Sequence, residues 1–492
     1  MIEKKISSLE QYFQEFREQT IGIDADFETP YEKKDLVYAD WIASGRLYGP
    51  IETIMRERIG PLVGNTHSES SYTGKLMTRA YHQAHAIIKN HVNASSEDVI
   101  ITADSGMTGV LCKLQRILGL KMPEKYSDRL DIPGEERPVV FVTHMEHHSN
   151  QTSWLETIAD VVVVEATENL LVDPENLIKA LEKYKNRKVK IGSFTACSNV
   201  TGIVTPYHRL AEIMHNYGGY CFVDFAASAP YVDIDMHPEN EDERLDAIFF
   251  SPHKFLGGPG SSGVLVFDKA LYKNRIPDHP GGGTVSWTNP WGERSYFNDI
   301  EVREDGGTPG FLQAIRAALA VRLKEKMSVK KIIAREEELI TISFNELAKI
   351  PQVHLLADGI KHRLGIFSFY VENMHHNLMV KLLNDRFGIQ VRGGCSCAGT
   401  YGHLLLHVSR KQSKQITNLI DMGDFSQKPG WVRLSLHPTM TNGELYYIIH
   451  AIDEVIDNAR IWAADYQYSA STNEFYHQWE KTDPELAKWF EP

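Results

Sequence analysis

Cysteine is scarce in this sequence: Cys112, Cys197, Cys221, Cys395 and Cys397 are the only five among 492 residues. A sparse, odd set argues against a disulfide framework and for a reducing compartment, with the cytoplasm as the default expectation. Basic residues are outnumbered as well. The formal net charge is −13, which speaks against a nucleic-acid surface as the main function. No apolar run approaches the roughly 18 residues of a membrane span. The opening MIEKKISSLEQYFQEF lacks the apolar segment of a secretory signal. Internal repeats and long low-complexity stretches are missing too. With 42% hydrophobic and 24% charged residues, the composition is that of an ordinary globular protein. A chain of this length can bury a substantial core without disulfides or metal.

Periodicity supplies the first positive signal. Ile2, Ile6, Leu9, Phe13 and Phe16 recur at helical spacing and predict an amphipathic N-terminal helix lying on the body of the protein. Farther on, VIIT (99–102), VVFVT (139–143), VVVVEA (161–166), KIGSFTA (190–196), YCFVDFA (220–226), AIFFS (247–251) and GVLVF (263–267) read as strands. Helical patterns lie between them, as in 108–120, 174–185 and 207–218. That alternation predicts an α/β fold: a large, mostly parallel sheet with helices on both faces. A helical stretch at 311–350 leads into a smaller α/β unit, with strands near 363–371 and 431–436 and helices at 375–387 and 443–463. The reading divides the chain into an N-terminal segment 1–36, a large domain 37–318 and a small domain 319–492. Residues 400–430 are polar and poorly periodic, and are expected to form an inserted loop. The aromatic tail beyond 464 has no assignable place.

The chemistry begins with two strand ends. Asp224 closes the apolar strand YCFVD, and Lys254 follows AIFFS in SPHKFLGGPG. Open parallel sheets bind ligands at the carboxyl ends of their strands, so the two residues are expected to share a cleft. Pyridoxal 5′-phosphate (PLP) needs this pair: a lysine to form an imine with its aldehyde, and an acid to keep the pyridine nitrogen protonated. A surface lysine and a capping aspartate remain the bland alternative for each residue alone. In ITADSGMTGVLCKL a strand ends, Ser105-Gly106-Met107-Thr108 turns, and a helix starts. A helix N-terminus after small residues favours a phosphate, although Ser and Thr there also serve simply as caps. After VVFVT, His147 or His148 offers a flat ring to stack on a cofactor, against the usual structural role of a histidine. Asn199, after another strand end, offers an amide to the cofactor's phenolic oxygen.

Eight short motifs in order carry a resemblance: SGMTG (105–109), EHHSN (146–150), SNVTG (198–202), VDFAASAP (223–230), SPHK (251–254), GGTP (306–309), RGGCSCAG (392–399) and VRLSLHP (432–438). From about Tyr38 to about Asp453 the chain resembles the class V aminotransferase family of fold-type-I PLP enzymes, in its cysteine desulfurase and selenocysteine lyase branch. The resemblance implies that His147 stacks on the ring and acts with Lys254, and that Asp224 pairs with the pyridine nitrogen. It implies that Ser105, Gly106, Met107, Ser251 and His253 hold the phosphate, and that Thr308 reaches the phosphate of a partner subunit in a homodimer. Arg433 matches the arginine that grips the substrate carboxylate, a role suited to a bidentate guanidinium. Asn199 would face both cofactor and substrate. Cys397 matches the catalytic cysteine. The C-x-C form also resembles the desulfurase domain of molybdenum-cofactor sulfurases, whose carboxy-terminal module is not evident here.

Two thiols alone do not make a four-ligand zinc site, so no metal is expected. A structural or redox pair remains an alternative to a persulfide-forming nucleophile at Cys397. The implied activity is desulfuration of L-cysteine or L-selenocysteine, with a possible protein sulfur acceptor. A C–S β-lyase, an epimerase, an aminotransferase or a non-catalytic scaffold stand as alternatives, since fold does not fix reaction. Two departures from the family stand out. Ala227 occupies a position where the family usually has glutamine, and the 36 residues from Cys397 to Arg433 are more than the family leads one to expect.

Overall fold

The computed structural model describes residues 7–127, 131–479 and 486–491. The N-terminal helix α1 spans Ser8–Glu18. Ser7 caps it by accepting from the Glu10 N–H, and Phe13 and Phe16 are buried. Ile2 and Ile6 of the expected stripe lie outside the described residues.

Seven strands build the main sheet: β1 (Asp98–Ala103), β2 (Val139–Val142), β3 (Asp160–Val163), β4 (Lys190–Thr195), β5 (Tyr220–Asp224), β6 (Ala247–Phe250) and β7 (Gly263–Asp268). Their spatial order is β1-β7-β6-β5-β4-β2-β3. From β6 to β3 all neighbours are parallel, whereas β7 runs antiparallel to both β6 and β1. The β6–β7 link holds one short 3₁₀ turn and no α-helix, so the chain doubles back instead of crossing over. That short link is the segment that carries Lys254.

The longer helices that flank the sheet are α2 (Tyr72–His91), α3 (Met107–Ile117), α4 (His148–Leu155), α5 (Pro174–Lys183), α6 (Tyr207–Asn216) and α7 (Phe311–Met327). Strand side chains alternate between faces. Val139 and Phe141 pack with α2, α5, α6 and α7, while Val140 and Val142 pack with α3 and α4. Burial on both sides explains why these strands read as continuous apolar runs.

The second unit is a four-stranded antiparallel sheet of β8 (Val353–Leu355), β9 (Ile366–Val371), β10 (Arg392–Gly394) and β11 (Trp431–Ser435), ordered β8-β9-β11-β10. Helices α8 (Val329–Leu347), α9 (His376–Phe387) and α12 (Asn442–Trp462) cover it, and Phe13, Phe16, Trp41 and Ile42 share its core. Ile389–Gln390 pairs with Val37–Tyr38, and Asp40 bridges to Ser435, which brings the start of the chain alongside β11.

Residues 400–430 are not the long loop expected from their polarity. They carry most of α10 (Gly399–Leu405) and all of α11 (Arg410–Asp421). Ser409 and Gln412 form a reciprocal capping box at the start of α11. None of its residues is fully buried, and its only apolar residues, Ile416, Leu419 and Ile420, lie at helical spacing within an otherwise polar segment. The aromatic tail folds into a hairpin, Tyr466–Ser469 with Glu474–His477. It rests on α9, where the Tyr466 hydroxyl donates to Asp385 at 2.9 Å and His375 meets the Tyr468 and Phe475 rings. Among the described residues, no helix is long and apolar enough to cross a membrane.

Candidate active site

A cleft of about 270 Å³ opens at the carboxyl ends of the central strands, against β10 and β11. Lys254 and Asp224 both line it. Beyond β6, Ser251–Lys254 closes a tight turn in which the Lys254 N–H donates to the Ser251 carbonyl at 3.1 Å. The turn depends on Gly258, where an added Cβ would lie 1.8 Å from the Pro252 carbonyl oxygen. Asp224 is buried, and its Oδ1 accepts from the Ala226 N–H at 2.8 Å. Burial pushes its carboxyl up to about 6, against the pull of the Ala226 N–H and Lys254. Burial also draws the Lys254 amine down to about 8. Asp224 opposes that shift and Arg433 reinforces it.

The Ser105–Thr108 turn lies directly beside the turn that carries Lys254. β1 ends, Asp104 takes a positive φ of 51°, and α3 begins at Met107. Ser251 Oγ accepts from the Met107 N–H at 2.9 Å, and His253 Nδ1 donates to the Ser105 carbonyl at 2.8 Å. The turn at the start of α3 is thereby clamped to the turn that carries Lys254. A Cβ on Gly106 would stand 3.0 Å from both Ser251 Oγ and His253 Cε1, so the approach tolerates little more than glycine. Thr108 Oγ1 and Ser149 Oγ are hydrogen-bonded at 2.7 Å.

His147 caps α4, its Nδ1 accepting from the Ser149 N–H at 3.1 Å. Burial, with Lys254 next in effect, lowers its pKa to about 3, so the ring is neutral. Glu146 behind it ties two strand ends together: its carboxylate accepts from the Thr143 N–H and hydroxyl, the Thr195 N–H and the Asn150 amide.

Arg433 on β11 and Arg392 on β10 are register partners, and Asp40 joins them. Arg433 Nη2 donates to Asp40 Oδ1 at 2.8 Å, and Arg392 Nε donates to Asp40 Oδ2 at 2.9 Å. Asp40 was not singled out from the sequence, because its partners lie 393 and 352 positions away. Arg433 also donates to the Asn199 carbonyl at 3.2 Å, while its Nε and the Asn199 Oδ1 are buried without a partner among the described residues.

The two loop cysteines part company. Ser396 and Cys397 both take positive φ, 50° and 55°. The Asn199 amide donates to the Ser396 carbonyl at 2.8 Å, and Trp431 Nε1 to the Ser396 hydroxyl at 3.2 Å. Cys397 is exposed and borders the cleft. Cys395 is half-buried and packs against a cluster that includes Met145, Tyr401 and Trp431. Ala227 lines the cleft as a small apolar residue. Thr308 is exposed and does not line this cleft in its own chain.

The model of the family described as aminotransferase class-V matches residues 37–448. The chain belongs to the class V aminotransferase family. A probable cysteine desulfurase of Halalkalibacterium halodurans is 28% identical over 363 residues, 74% of this chain and 84% of that protein. A cysteine desulfurase of Haloferax volcanii is 25% identical over 420 residues, 81% of this chain and 93% of that protein. The fold is also that of solved structures. An apo cysteine desulfurase from Thermococcus onnurineus superposes with a TM-score of 0.71 at 20% identity, covering 93% of this chain and 100% of that one. A cysteine desulfurase from Escherichia coli gives 0.68 at 22%, covering 92% and 99%.

This class V family member is a PLP-dependent enzyme. The residues present fit the cofactor. The cleft joins a buried amine, a buried carboxyl, a neutral imidazole and a clamped helix start, and it contains buried polar atoms of Asn199 and Arg433 that have no partner among the described residues.

One consequence concerns pH. If Lys254 is the amine that captures the cofactor's aldehyde, it attacks only in its neutral form, and that fraction rises with pH through the lowered pKa. For an amine at about 8 that fraction is roughly one tenth at pH 7 and nine tenths at pH 9. The rate at which cofactor-free protein captures PLP, followed by the growth of its absorbance band, is expected to climb over that window and then level. A rate still climbing above pH 10 would place the amine in an ordinary, solvated setting.

Proposed function

We propose that this class V enzyme is a cysteine desulfurase that converts L-cysteine to L-alanine and leaves the sulfur as a persulfide on Cys397. The observation that carries the reading is the presence of Cys397, and not Cys395, at the mouth of the cleft that holds Lys254, Asp224 and Arg433. In this reading Asp224 bonds the pyridine nitrogen, His147 lies against the ring, and the clamped turn Ser105–Met107, with Ser251 and His253, holds the phosphate. When bound, the cofactor supplies a sink for the electrons released at the substrate Cα. Arg433 grips the substrate carboxylate, while Asp40 holds the guanidinium in place. Asn199 adds an amide to the same substrate. Lys254 moves the proton at Cα, a task suited to an amine tuned near 8. The Cys397 thiolate attacks the substrate Sγ. An S–S bond forms as the Cβ–Sγ bond breaks, the bonding pair stays on Cβ, and a proton is added there. Enzyme thiol and L-cysteine thus become enzyme persulfide and L-alanine.

The test is incubation with L-cysteine and mass spectrometry of the products and of the peptide containing Cys397. Alanine and a 32-dalton gain (the order of one sulfur atom) support the reading. Pyruvate and ammonia instead would assign β-elimination. L-Selenocysteine is the second substrate to compare, and a protein sulfur acceptor would discharge the persulfide. The proposed setting is the cytoplasm.

Two further outcomes are expected. Asp224→Asn should still bind cofactor but lose about 10³-fold in turnover, about 4 kcal/mol of barrier, because an amide cannot hold the pyridine nitrogen protonated. Near-normal turnover in that variant would remove Asp224 from its role. The enzyme should also be a homodimer, with Thr308 reaching the partner's phosphate. Thr308→Ala should then weaken cofactor retention on dialysis. A fully active monomer by light scattering at low concentration would contradict the shared site.

A further inference from the structure

The loop that carries Cys397 is fastened to the start of α4, and His148 fastens it twice. The His148 main-chain N–H donates to the Cys397 carbonyl at 2.7 Å. The His148 ring then takes the far side of the same loop, with Nε2 accepting from the Gly399 N–H at 2.9 Å. One turn along α4, Gln151 Oε1 accepts from the Thr400 hydroxyl at 2.8 Å. The loop needs such fastening. Ser396 and Cys397 both sit in the left-handed region, which non-glycine residues occupy at a cost, so the native turn persists only where its surroundings determine it. Gly399 is also the first residue of α10, and its N–H has no partner within that helix. The imidazole supplies the missing acceptor, and it can do so only when neutral with its proton on Nδ1. Burial, which lowers the pKa of His148, favours the neutral ring, and the Gly399 N–H selects the tautomer.

We propose that His148 is a positioning residue for the nucleophile, holding the 395–399 loop in the one arrangement that turns the Cys397 thiol to the cleft. The proposal rests on the reading of Cys397 as the sulfur-accepting thiol. It gives the two adjacent histidines different duties. His147 faces the cofactor cleft, and His148 faces away from it to hold the loop. Because both belong to the first turn of α4 and its cap, the cofactor's ring face and the attacking sulfur share one rigid reference. His148 touches neither cofactor nor substrate in this scheme and acts entirely through Gly399 and Cys397.

Two variants separate this from a general structural role. His148→Ala keeps the main-chain bond and removes the ring acceptor. His148→Gln keeps an acceptor oxygen at a similar reach. In His148→Ala, amide hydrogen exchange across 395–402 should accelerate roughly tenfold, alanine kcat should fall roughly five- to tenfold, and the KM for L-cysteine should stay within about twofold, the size of one lost hydrogen bond at the loop. His148→Gln should recover most of both losses. The exchange measurement is made on cofactor-free protein as well, so it reads the loop even if a variant loads PLP poorly. Wild-type exchange at 395–402 in His148→Ala, wild-type kcat in that variant, or no recovery in His148→Gln would each overturn the proposal. Failure of the desulfurase reading itself looks different: Cys397→Ser would then retain full turnover whatever His148 does.

Discussion

Replacing Lys254 with alanine is expected to remove the yellow band of the bound cofactor and to lower turnover by at least about 10⁴-fold, more than about 5 kcal/mol of barrier. On the proposed reading two functions disappear together: the covalent hold on the cofactor and the amine that moves the Cα proton. The fold should survive, because the turn is built by main-chain groups. The Lys254 N–H bonds Ser251, the Phe255 N–H bonds Pro252, and the His253 carbonyl accepts from Gly45. The substitution also removes a cationic neighbour of Asp224. Since Lys254 helps hold the Asp224 carboxyl down, that pKa should rise further above about 6 in the cofactor-free variant. Absorbance spectra and a product assay on purified protein check the prediction. A variant that retained the imine band would mean that another lysine holds the cofactor.

The sequence announced what local pattern can announce. Strand ends, short turns and helix starts are contiguous in the chain, so Asp224, Lys254 and the Ser105–Thr108 turn could be read from runs of a few residues. Their convergence follows from one rule about parallel sheets. The antiparallel β7 strand was harder to read, because its apolar run GVLVF looks the same in either direction. Only the missing helix between β6 and β7 betrays the reversal. Helix α11 was hidden for a different reason. Its capping pair Ser409 and Gln412 and its apolar stripe Ile416, Leu419 and Ile420 stand at helical spacing in the sequence, but three apolar residues among nine polar ones make the segment read as a polar loop. Asp40 was illegible because its meaning lies wholly in tertiary contacts. An aspartate after a two-residue strand becomes the bridge between Arg392 and Arg433 only when the start of the chain pairs beside β10 and β11. His148 belongs to the same class. The doubled histidine is visible in the sequence and either ring could stack on a cofactor, but the loop partner Gly399 lies 251 positions away. The motif RGGCSCAG offered two thiols, and tertiary packing distinguishes them by setting Cys395 against Met145, Tyr401 and Trp431 and Cys397 at the cleft.

That separation makes Cys397→Ser the variant that decides the reaction. Serine keeps the size of the side chain and a polar tip, so the loop bonds to His148, Asn199 and Trp431, none of which uses the thiol, should persist. Cofactor binding and the spectral response to L-cysteine are therefore expected to be preserved. What serine lacks is a polarisable, readily ionised nucleophile able to take a sulfur atom. Alanine release should drop by at least about 10³-fold, about 4 kcal/mol, and no persulfide should be found on the loop peptide. Cys395→Ser is expected to cost far less turnover, since that thiol packs against a buried cluster and does not line the cleft. It should instead cost some stability, because a hydroxyl is placed against apolar neighbours. Product analysis of both variants with L-cysteine, alongside thermal melts, checks the pair. Full turnover in Cys397→Ser with a dead Cys395→Ser would require the loop to turn over so that the other thiol meets the cleft. Full turnover in both would leave proton movement at Lys254 without any sulfur acceptor on the enzyme, and β-elimination, epimerisation or transamination would then be the chemistry of this site.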